Sequence, residues 1–117
     1  MKIGGKALVM KIGNDFKLFV LSGALKINSA AIKDHFQEKR TRFAKAEELA
    51  ELTGCVPGCV PPFGEPIISL PLYVDNSILA NQKIAFNAGS LTDSIIMDVA
   101  DYLRIAKPTI FDFSLSS

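Results

Sequence analysis

The hydrophobic residues of this chain fall into short blocks, and the spacing within each block predicts the local structure. Residues 6–12 form an almost unbroken apolar run with glycines on both sides, which is typical of a strand buried on both faces. After a turn at residues 13–15, residues 16–21 are rich in aromatic and β-branched side chains and predict the second strand of a hairpin. Further strands are predicted at residues 42–44, 66–75, 83–87, 94–97 and 109–113. Pro71 interrupts the longest of them and predicts an edge or a bulge there.

Helical periodicity occurs in fewer places. Helices are predicted at residues 28–39, 45–52 and 99–105, with one further turn of helix at residues 76–79. Gly54 follows the second helix at the position of a left-handed C-terminal cap, so this helix leads directly into the next loop. We find no repeats, linkers or low-complexity segments. The pattern predicts a single domain over residues 1–117 with an α/β fold, in which a few helices cover a mixed, largely antiparallel and twisted sheet.

Composition narrows the class of function. The chain has 117 residues, of which 49% are hydrophobic and 21% charged, and this is ordinary for one compact domain. Its net charge of +1 excludes the broad positive field that holds duplex nucleic acid, so any contact with nucleic acid must be local. Residues 39–42 form a small basic patch, which we interpret as a solvated surface, with a nucleic-acid contact as the alternative. No segment reaches membrane-spanning length, and a soluble cytoplasmic protein is expected.

Residues 53–64, which we call the Gly/Pro loop, contain three glycines and three prolines between two apolar regions of the chain. Because proline fixes φ and glycine permits conformations closed to other residues, such a loop is stiff and leaves a few N–H groups exposed. These donors can hold a carbonyl or phosphate oxygen without any charged side chain. A tight connector between a helix and a strand is the other interpretation of the loop.

The residue types needed for most other catalytic chemistry are missing or badly spaced. Cys55 and Cys59 have C-x3-C spacing, which falls short of a metal site and of the C-x-x-C redox motif, so free thiols are expected. A redox-regulated protein that uses these two thiols is a weaker alternative. His35, the only histidine, is predicted to lie on the surface of a charged helix. Lys6 opens the first buried strand, where its ammonium group can emerge at the sheet edge or be merely solvated.

Six short blocks, taken in order, resemble the YbaK/prolyl-tRNA synthetase-associated editing domain family. The blocks are K-A-L-V at residues 6–9, R-F-A at 42–44, E-E-L at 47–49, the Gly/Pro loop at 53–64, V-D at 74–75 and F-N-A-G at 86–89. Their order and spacing fit the family from Lys6 to about Phe113, and the T-G followed by a G-x-x-x-P frame is the most specific part. The resemblance implies the fold of that family and the hydrolysis of the ester of wrongly charged aminoacyl-tRNA, without metal or cofactor.

The resemblance also implies roles for individual residues. Lys6 corresponds to the active-site lysine of the family, which contacts the 3′-terminal nucleotide or the aminoacyl group. Gly58 begins the G-x-x-x-P loop, whose backbone holds the ester end of the substrate. The implied substrate-binding residues are Cys59, Val60, Pro61, Pro62, Asn87, Gly89 and Ser90. The attacking water is then activated by the ribose hydroxyl of the substrate, since no side chain offers a convincing nucleophile or general base.

The implied partner is the 3′ acceptor end of an aminoacyl-tRNA, with an aminoacyl-tRNA synthetase as a candidate second partner and no membrane contact. A non-catalytic module that binds the acceptor end or a synthetase is the alternative function.

The sequence departs from the family in two places. Only five residues precede Lys6, where the family has a helical segment that helps to wall the pocket. A minimal form, a wall supplied by a partner and a shortened sequence are the open explanations, and the exposed apolar side would favour a homodimer. Where the family often has an acidic residue after the pocket turn, this chain has Ser94, with Asp93 beside it.

Overall fold

The computed structural model of the chain describes residues 4–23, 25–54, 60–64, 68–87 and 94–115. It begins with an antiparallel hairpin of β1, Gly5–Ile12, and β2, Asp15–Ser22. In the tight turn between the strands Gly13 has a φ of 63°, a left-handed conformation that glycine adopts without steric cost. The predicted hairpin is therefore confirmed.

This hairpin lies inside a five-stranded sheet with the order β4-β1-β2-β5-β8. The three added strands are β4, Thr41–Phe43; β5, Leu72–Val74; and β8, Thr109–Ile110. Strand β4 pairs antiparallel with β1, whereas β5 runs parallel to β2 and β8 runs parallel to β5. The sheet is mixed, as the sequence predicts.

A second hairpin lies beside the N-terminal end of β1, on the edge that β4 borders at the C-terminal end. It consists of β6, Lys83–Asn87, and β7, Ser94–Asp98, which are antiparallel. A parallel bridge between Gly4 and Ala85 joins β6 to the chain just before β1. A short antiparallel pair, β3, Lys26–Ile27, with β9, Ser114–Leu115, completes the strands of the described residues.

Helices cover both faces of the sheet. They are α1, Ser29–Phe36; α2, Ala46–Thr53; α3, Asn76–Leu79; and α4, Val99–Ala106. Helix α1 buries Ile32 against one face, while the other three helices bury Leu49, Ile78 and Tyr102 against the opposite face. No helix in the described parts of the chain is long and apolar enough to cross a membrane.

The sheet separates two hydrophobic cores because successive side chains of a strand point to opposite faces. Val9 of β1 belongs to the core that also contains Val60 of the Gly/Pro loop, and we call this side the loop face. Met10 and Ile12 belong to the core beneath α1, which we call the α1 face. The prediction that β1 is buried on both faces is confirmed.

The predicted class, helices over a mixed sheet, is confirmed, but some details are wrong. Pro71 does not mark an edge strand, because it lies immediately before β5, which has neighbours on both sides. The Pro71 carbonyl accepts a hydrogen bond from the Leu18 amide at 2.9 Å, so the position needs an acceptor and no donor. The strand predicted at residues 109–113 is shorter, and β3 and β9 are too short to show periodicity.

Candidate active site

The sheet has an open stretch along the outer edge of β1. Strand β4 pairs with the C-terminal end of β1, and the bridge from Gly4 to Ala85 brings β6 to its N-terminal end. Between these two neighbours, no described strand pairs with residues 6–8 on this edge. We call this stretch the sheet notch. It is the place where backbone groups and a side chain of β1 can meet a ligand at a sheet edge.

Lys6 lies in the sheet notch and is half-buried. It pairs with Leu21 of β2, and its side chain shares a face with Leu8 and Met10 because strand residues alternate. This is the α1 face, so the Lys6 ammonium group can approach the Gly/Pro loop only around the open edge. Lys6 forms no ion pair with any carboxylate of the described residues, which leaves its charge available.

The C-terminal half of the Gly/Pro loop is anchored on the loop face by aromatic side chains. Val60 is buried in the core, and Pro62 is fully buried. The Tyr102 hydroxyl of α4 donates a buried hydrogen bond of 2.6 Å to the Pro62 carbonyl. The Phe63 ring packs edge-on against Phe86 and Tyr102, with centroids 5.5 and 5.4 Å apart. Burial raises the pKa of the Tyr102 phenol, so the hydroxyl remains protonated and able to donate.

Glycines fix the two ends of the same loop. Gly54 has a φ of 72° and donates its N–H to the Ala50 carbonyl, so it is the left-handed helix cap that the sequence predicts. At the other end, a Cβ on Gly64 would lie 2.9 Å from the Leu70 carbonyl oxygen, which leaves no room for a side chain. The loop thus begins at a left-handed position that favours glycine and ends at a position with no room for a side chain.

Four of the predicted site residues, Gly58, Cys59, Gly89 and Ser90, lie outside the described residues, as do Cys55 and Asp93. Their predicted roles stay predictions, including the donor role of the loop amides. Val60, Pro61 and Pro62 lie where the loop enters the core, and Pro61 is half-buried. Because β6 runs parallel to β1 from the Gly4 bridge, the same register places Asn87 about level with Lys6. The structure therefore brings the end of β6 and Lys6 to the same end of the sheet.

An ion pair joins two of the blocks that carry the family resemblance. Both terminal nitrogens of Arg42 bind the Glu48 carboxylate, at 2.7 and 2.9 Å, and the Lys45 amide donates to the same carboxylate at 2.9 Å. The Arg42 hydrogen bonds come first among the causes that lower the pKa of Glu48 to about 2. This bidentate contact holds the beginning of α2 against β4, and therefore fixes the direction in which α2 enters the Gly/Pro loop.

The described residues of the site bring one cation to an open strand edge. The described part of the site contributes a lysine, a stiff loop and an open strand edge, and His35 lies away from it, stacked on Phe111 with centroids 3.8 Å apart. His35 is exposed, as predicted. Tyr102 was missed by sequence reasoning, because a tyrosine on the apolar side of a short helix is usually a core residue. The one signal for Tyr102 in the sequence is its hydroxyl, a polar group at a helix position whose spacing predicts complete burial.

A family model described as the aminoacyl-tRNA editing domain matches residues 3–105. The chain belongs to this family. The resemblance inferred from the six sequence blocks is therefore confirmed. The matched range of the editing domain includes the sheet notch, the Gly/Pro loop, β6 and Tyr102, so every described part of the candidate site lies within it.

Curated relatives of this editing domain include a deacylase and a proline--tRNA ligase. The Multifunctional Ser/Thr-tRNA deacylase ProXp-y of Escherichia coli (strain K12) is 39% identical over 116 residues, which cover 94% of this chain and 68% of that protein. A Proline--tRNA ligase of Bacillus licheniformis is 39% identical over 59 residues, or 50% of this chain and 10% of the ligase. The second match relates the chain to a part of a much larger enzyme.

Solved structures support the fold. A crystal structure described as a putative trans-editing enzyme for prolyl tRNA synthetase has a TM-score of 0.86, covers 97% of this chain and 71% of the other, and is 24% identical. At that identity the likeness shows the fold alone. The predicted family-like architecture, with a mixed sheet and few helices, is confirmed by this match together with the observed topology.

Proposed function

We propose that this editing domain is an aminoacyl-tRNA deacylase, which hydrolyses the ester between a wrongly attached amino acid and the 3′-terminal ribose of tRNA. The observation that carries the proposal is the match to the editing family over residues 3–105, which includes all described elements of the candidate site. The E. coli relative, a Ser/Thr-tRNA deacylase, supports the same class of reaction and indicates small hydroxyl-bearing amino acids as the first substrates to test.

The proposed reaction is a hydrolysis with no covalent enzyme intermediate. Water adds to the ester carbonyl carbon, and the bond between that carbon and the ribose oxygen breaks. The ribose oxygen takes up a proton, which leaves a free amino acid and deacylated tRNA. Negative charge develops on the carbonyl oxygen in the transition state, where one preorganised donor is worth about 3 kcal/mol. We assign that donor role to the backbone of Gly58 and Cys59 and assign water activation to the neighbouring ribose hydroxyl.

Lys6 has the matching role on the other side of the ester. Its ammonium group has no acidic partner among the described residues and lies at the sheet notch, so it is free to bind a phosphate or the carbonyl oxygen. We assign Asn87, Gly89 and Ser90 to the border of the amino acid, and the end of β6 level with Lys6 supports this for Asn87. In this proposal no metal takes part in the reaction.

A deacylation assay with a panel of charged tRNAs tests the proposal. We expect release of serine or threonine from mischarged tRNA, unchanged by a metal chelator. We expect no release when the tRNA ends in 2′-deoxyadenosine, since the proposed water-activating group is then missing. Full activity on the deoxy substrate would refute the ribose-assisted step. If no charged tRNA is hydrolysed but the acceptor end is still bound, the protein is a binding module of the same family.

Five further properties belong to the same proposal. The protein acts in trans, as one domain over residues 1–117, and is located in the cytoplasm. A synthetase is a second partner, and a homodimer covers the exposed apolar side of the pocket. Sedimentation of the purified protein measures the last point, and a monomer at all concentrations would exclude it.

A further inference from the structure

A second polar surface lies on the same edge of the sheet as the candidate site. It is a cleft of about 400 Å³ at the β1–β2 turn, which we call the basic cleft. Its side-chain lining consists of Lys11, Asn14, Lys39, Arg40, Thr41 and Arg42, and no acidic residue of the described chain lines it. Four cations and two neutral hydrogen-bonding groups around one concavity match the chemistry of phosphate oxygens.

Two acids, Glu38 and Glu48, bind residues that line the cleft, but its four cations outnumber them, so the cleft keeps a positive charge. Glu48 binds Arg42 through both carboxylate oxygens. The Glu38 carboxylate accepts the backbone N–H groups of Lys39 and Arg40, at 3.1 and 3.3 Å. Neither Lys39 nor Arg40 forms an ion pair with a described carboxylate, and the same holds for Lys11.

Backbone pairing sets the positions of these cations. Lys11 of β1 lies opposite Arg42 of β4 in the antiparallel register. The Gly13 amide donates to the Arg40 carbonyl at 2.8 Å, which ties the hairpin turn to the segment that carries Lys39 and Arg40. Because the segment is fixed by the sheet, the cleft exists before any ligand binds, and little backbone entropy is lost on binding.

The distance to the candidate site suits one particular polyanion. Lys11 follows Lys6 by five positions on the same strand, so their Cα atoms are about 17 Å apart at the usual rise per residue, and their side chains leave the shared edge from opposite faces. The unpaired 3′ end of a tRNA can span that distance with a few nucleotides, so an ester held at Lys6 leaves the first phosphates of the acceptor stem near the basic cleft. With a net charge of only +1 for the whole chain, electrostatic attraction of a polyanion has to come from a local cluster of cations such as this cleft.

We infer that the basic cleft binds backbone phosphates of the tRNA acceptor stem and sets the orientation in which the charged 3′ end enters the site. This inference rests on the proposed deacylase function. Since phosphate contacts position a nucleic acid without reading its sequence, the cleft contributes affinity for all tRNAs alike, and the choice of amino acid is made elsewhere.

The test compares a double variant, Lys39→Ala with Arg40→Ala, on two substrates: a charged full-length tRNA and a charged oligonucleotide that ends in CCA and has no acceptor stem. We expect KM for the full-length tRNA to rise about tenfold, and the slope of log affinity against log salt to fall by about two. Hydrolysis of the short substrate should be unchanged. The matched control, Lys26→Ala with Arg104→Ala, removes the same charge from exposed positions outside the cleft.

The outcomes separate this inference from the proposed function. Equal KM values and equal salt slopes for the double variant and the wild type would overturn the inference while leaving the deacylase intact. An equal loss on both substrates would also overturn it. If the wild type hydrolyses neither substrate, anisotropy with uncharged tRNA still measures the cleft, and unchanged binding by the double variant would count against it. Weaker binding to a synthetase with unchanged tRNA binding would assign the cleft to a protein partner.

Discussion

The two faces of the sheet are built differently. On the α1 face, aromatic rings from distant parts of the chain close the core: Phe19 stacks on Tyr73 at 5.4 Å and meets Phe113 edge-on at 5.2 Å. On the loop face, the aromatic residues hold a loop, through the ring contacts of Phe63 and the hydrogen bond from Tyr102 to Pro62. The ring contacts of the α1 face close a core, whereas those of the loop face also hold residues 60–64 of the Gly/Pro loop in place.

On the loop face, the buried carbonyl of Pro62 needs a hydrogen-bond donor. A carbonyl turned into an apolar core must be given a donor, or its desolvation costs about 1–3 kcal/mol. Pro62 has no N–H of its own, so its carbonyl is the only backbone group at that position that needs a partner. Tyr102 supplies this partner from a helix that is itself packed in the core.

The largest expected effect is a loss of stability on the α1 face. Phe19 is fully buried and contacts three other aromatic rings, so Phe19→Ala should lower the free energy of unfolding by about 3–5 kcal/mol. The rate of deacylation per folded molecule should stay close to that of the wild type. Urea unfolding measures the first quantity. Phe43→Ala is the control, because Phe43 is 52% exposed.

The second prediction concerns Lys6, whose loss should lower activity and leave stability almost unchanged. Lys6→Ala should lower the rate of deacylation about 100-fold, because one charge-stabilising group is lost from the transition state. The free energy of unfolding should change by no more than about 0.5 kcal/mol, since Lys6 makes no ion pair with the described residues. Lys26→Ala, at an exposed position of β3, serves as control. A wild-type rate for Lys6→Ala would remove Lys6 from the site.

The third prediction addresses the hydrogen bond that positions the loop. Tyr102→Phe keeps the ring and leaves the Pro62 carbonyl without its donor, so the free energy of unfolding should fall by about 1–3 kcal/mol. In addition, kcat should fall about tenfold with little change in KM, because the loop amides meet the transition state less well. A purely structural role would lower the folded fraction and leave kcat per folded molecule unchanged.

The control for that variant lies on the other face. Tyr73→Phe also removes one phenolic hydroxyl. The Tyr73 ring is half-buried, and its hydroxyl has no hydrogen-bond partner among the described residues. We expect it to change neither kcat nor stability by a measurable amount. Equal losses of kcat in the two variants would mean that Tyr102 does not act through the loop.

Local features of the fold were predictable from the sequence because they depend on neighbouring residues. The hairpin of β1 and β2, the strand at residues 83–87 and the cap at Gly54 all follow from patterns within a few positions. The family resemblance then selected Lys6 and the Gly/Pro loop, which composition alone left open between a connector and an anion site.

Contacts between distant segments were not predictable in this way. Tyr102 and Pro62 are 40 positions apart, and only the folded chain shows that they meet. Pro71 suggested an edge strand because a missing donor usually rules out the interior of a sheet, yet the residue lies just before β5, where only its carbonyl is needed. Which strand flanks β5 depends on long-range parallel pairing, and hydrophobic periodicity carries no information about that.

The smallest expected effect concerns Asp75, the one buried acid among the described residues, which joins the two faces. The Asp75 carboxylate accepts the Phe113 amide of the α1 face at 2.7 Å and the Ser77 amide at the start of α3 at 2.9 Å. Burial alone would raise the pKa of Asp75, but the hydrogen bonds from Ser77, Phe113 and Ser114 outweigh it, so the pKa is lowered. Asp75→Asn keeps one acceptor oxygen and should lower the free energy of unfolding at neutral pH by about 1 kcal/mol.

The sign of the pH dependence separates this role from simple packing. A lowered pKa means that the unfolded chain binds the proton more readily, so the contribution of Asp75 is complete above its ordinary pKa of about 3.9 and is lost as the pH falls below that value. Stability curves of the wild type and Asp75→Asn should therefore converge on acidification, and Asp15→Asn, at an exposed position, is the control. Curves for Asp75→Asn that stay equally far apart down to acidic pH would show that its charge does not join the two faces.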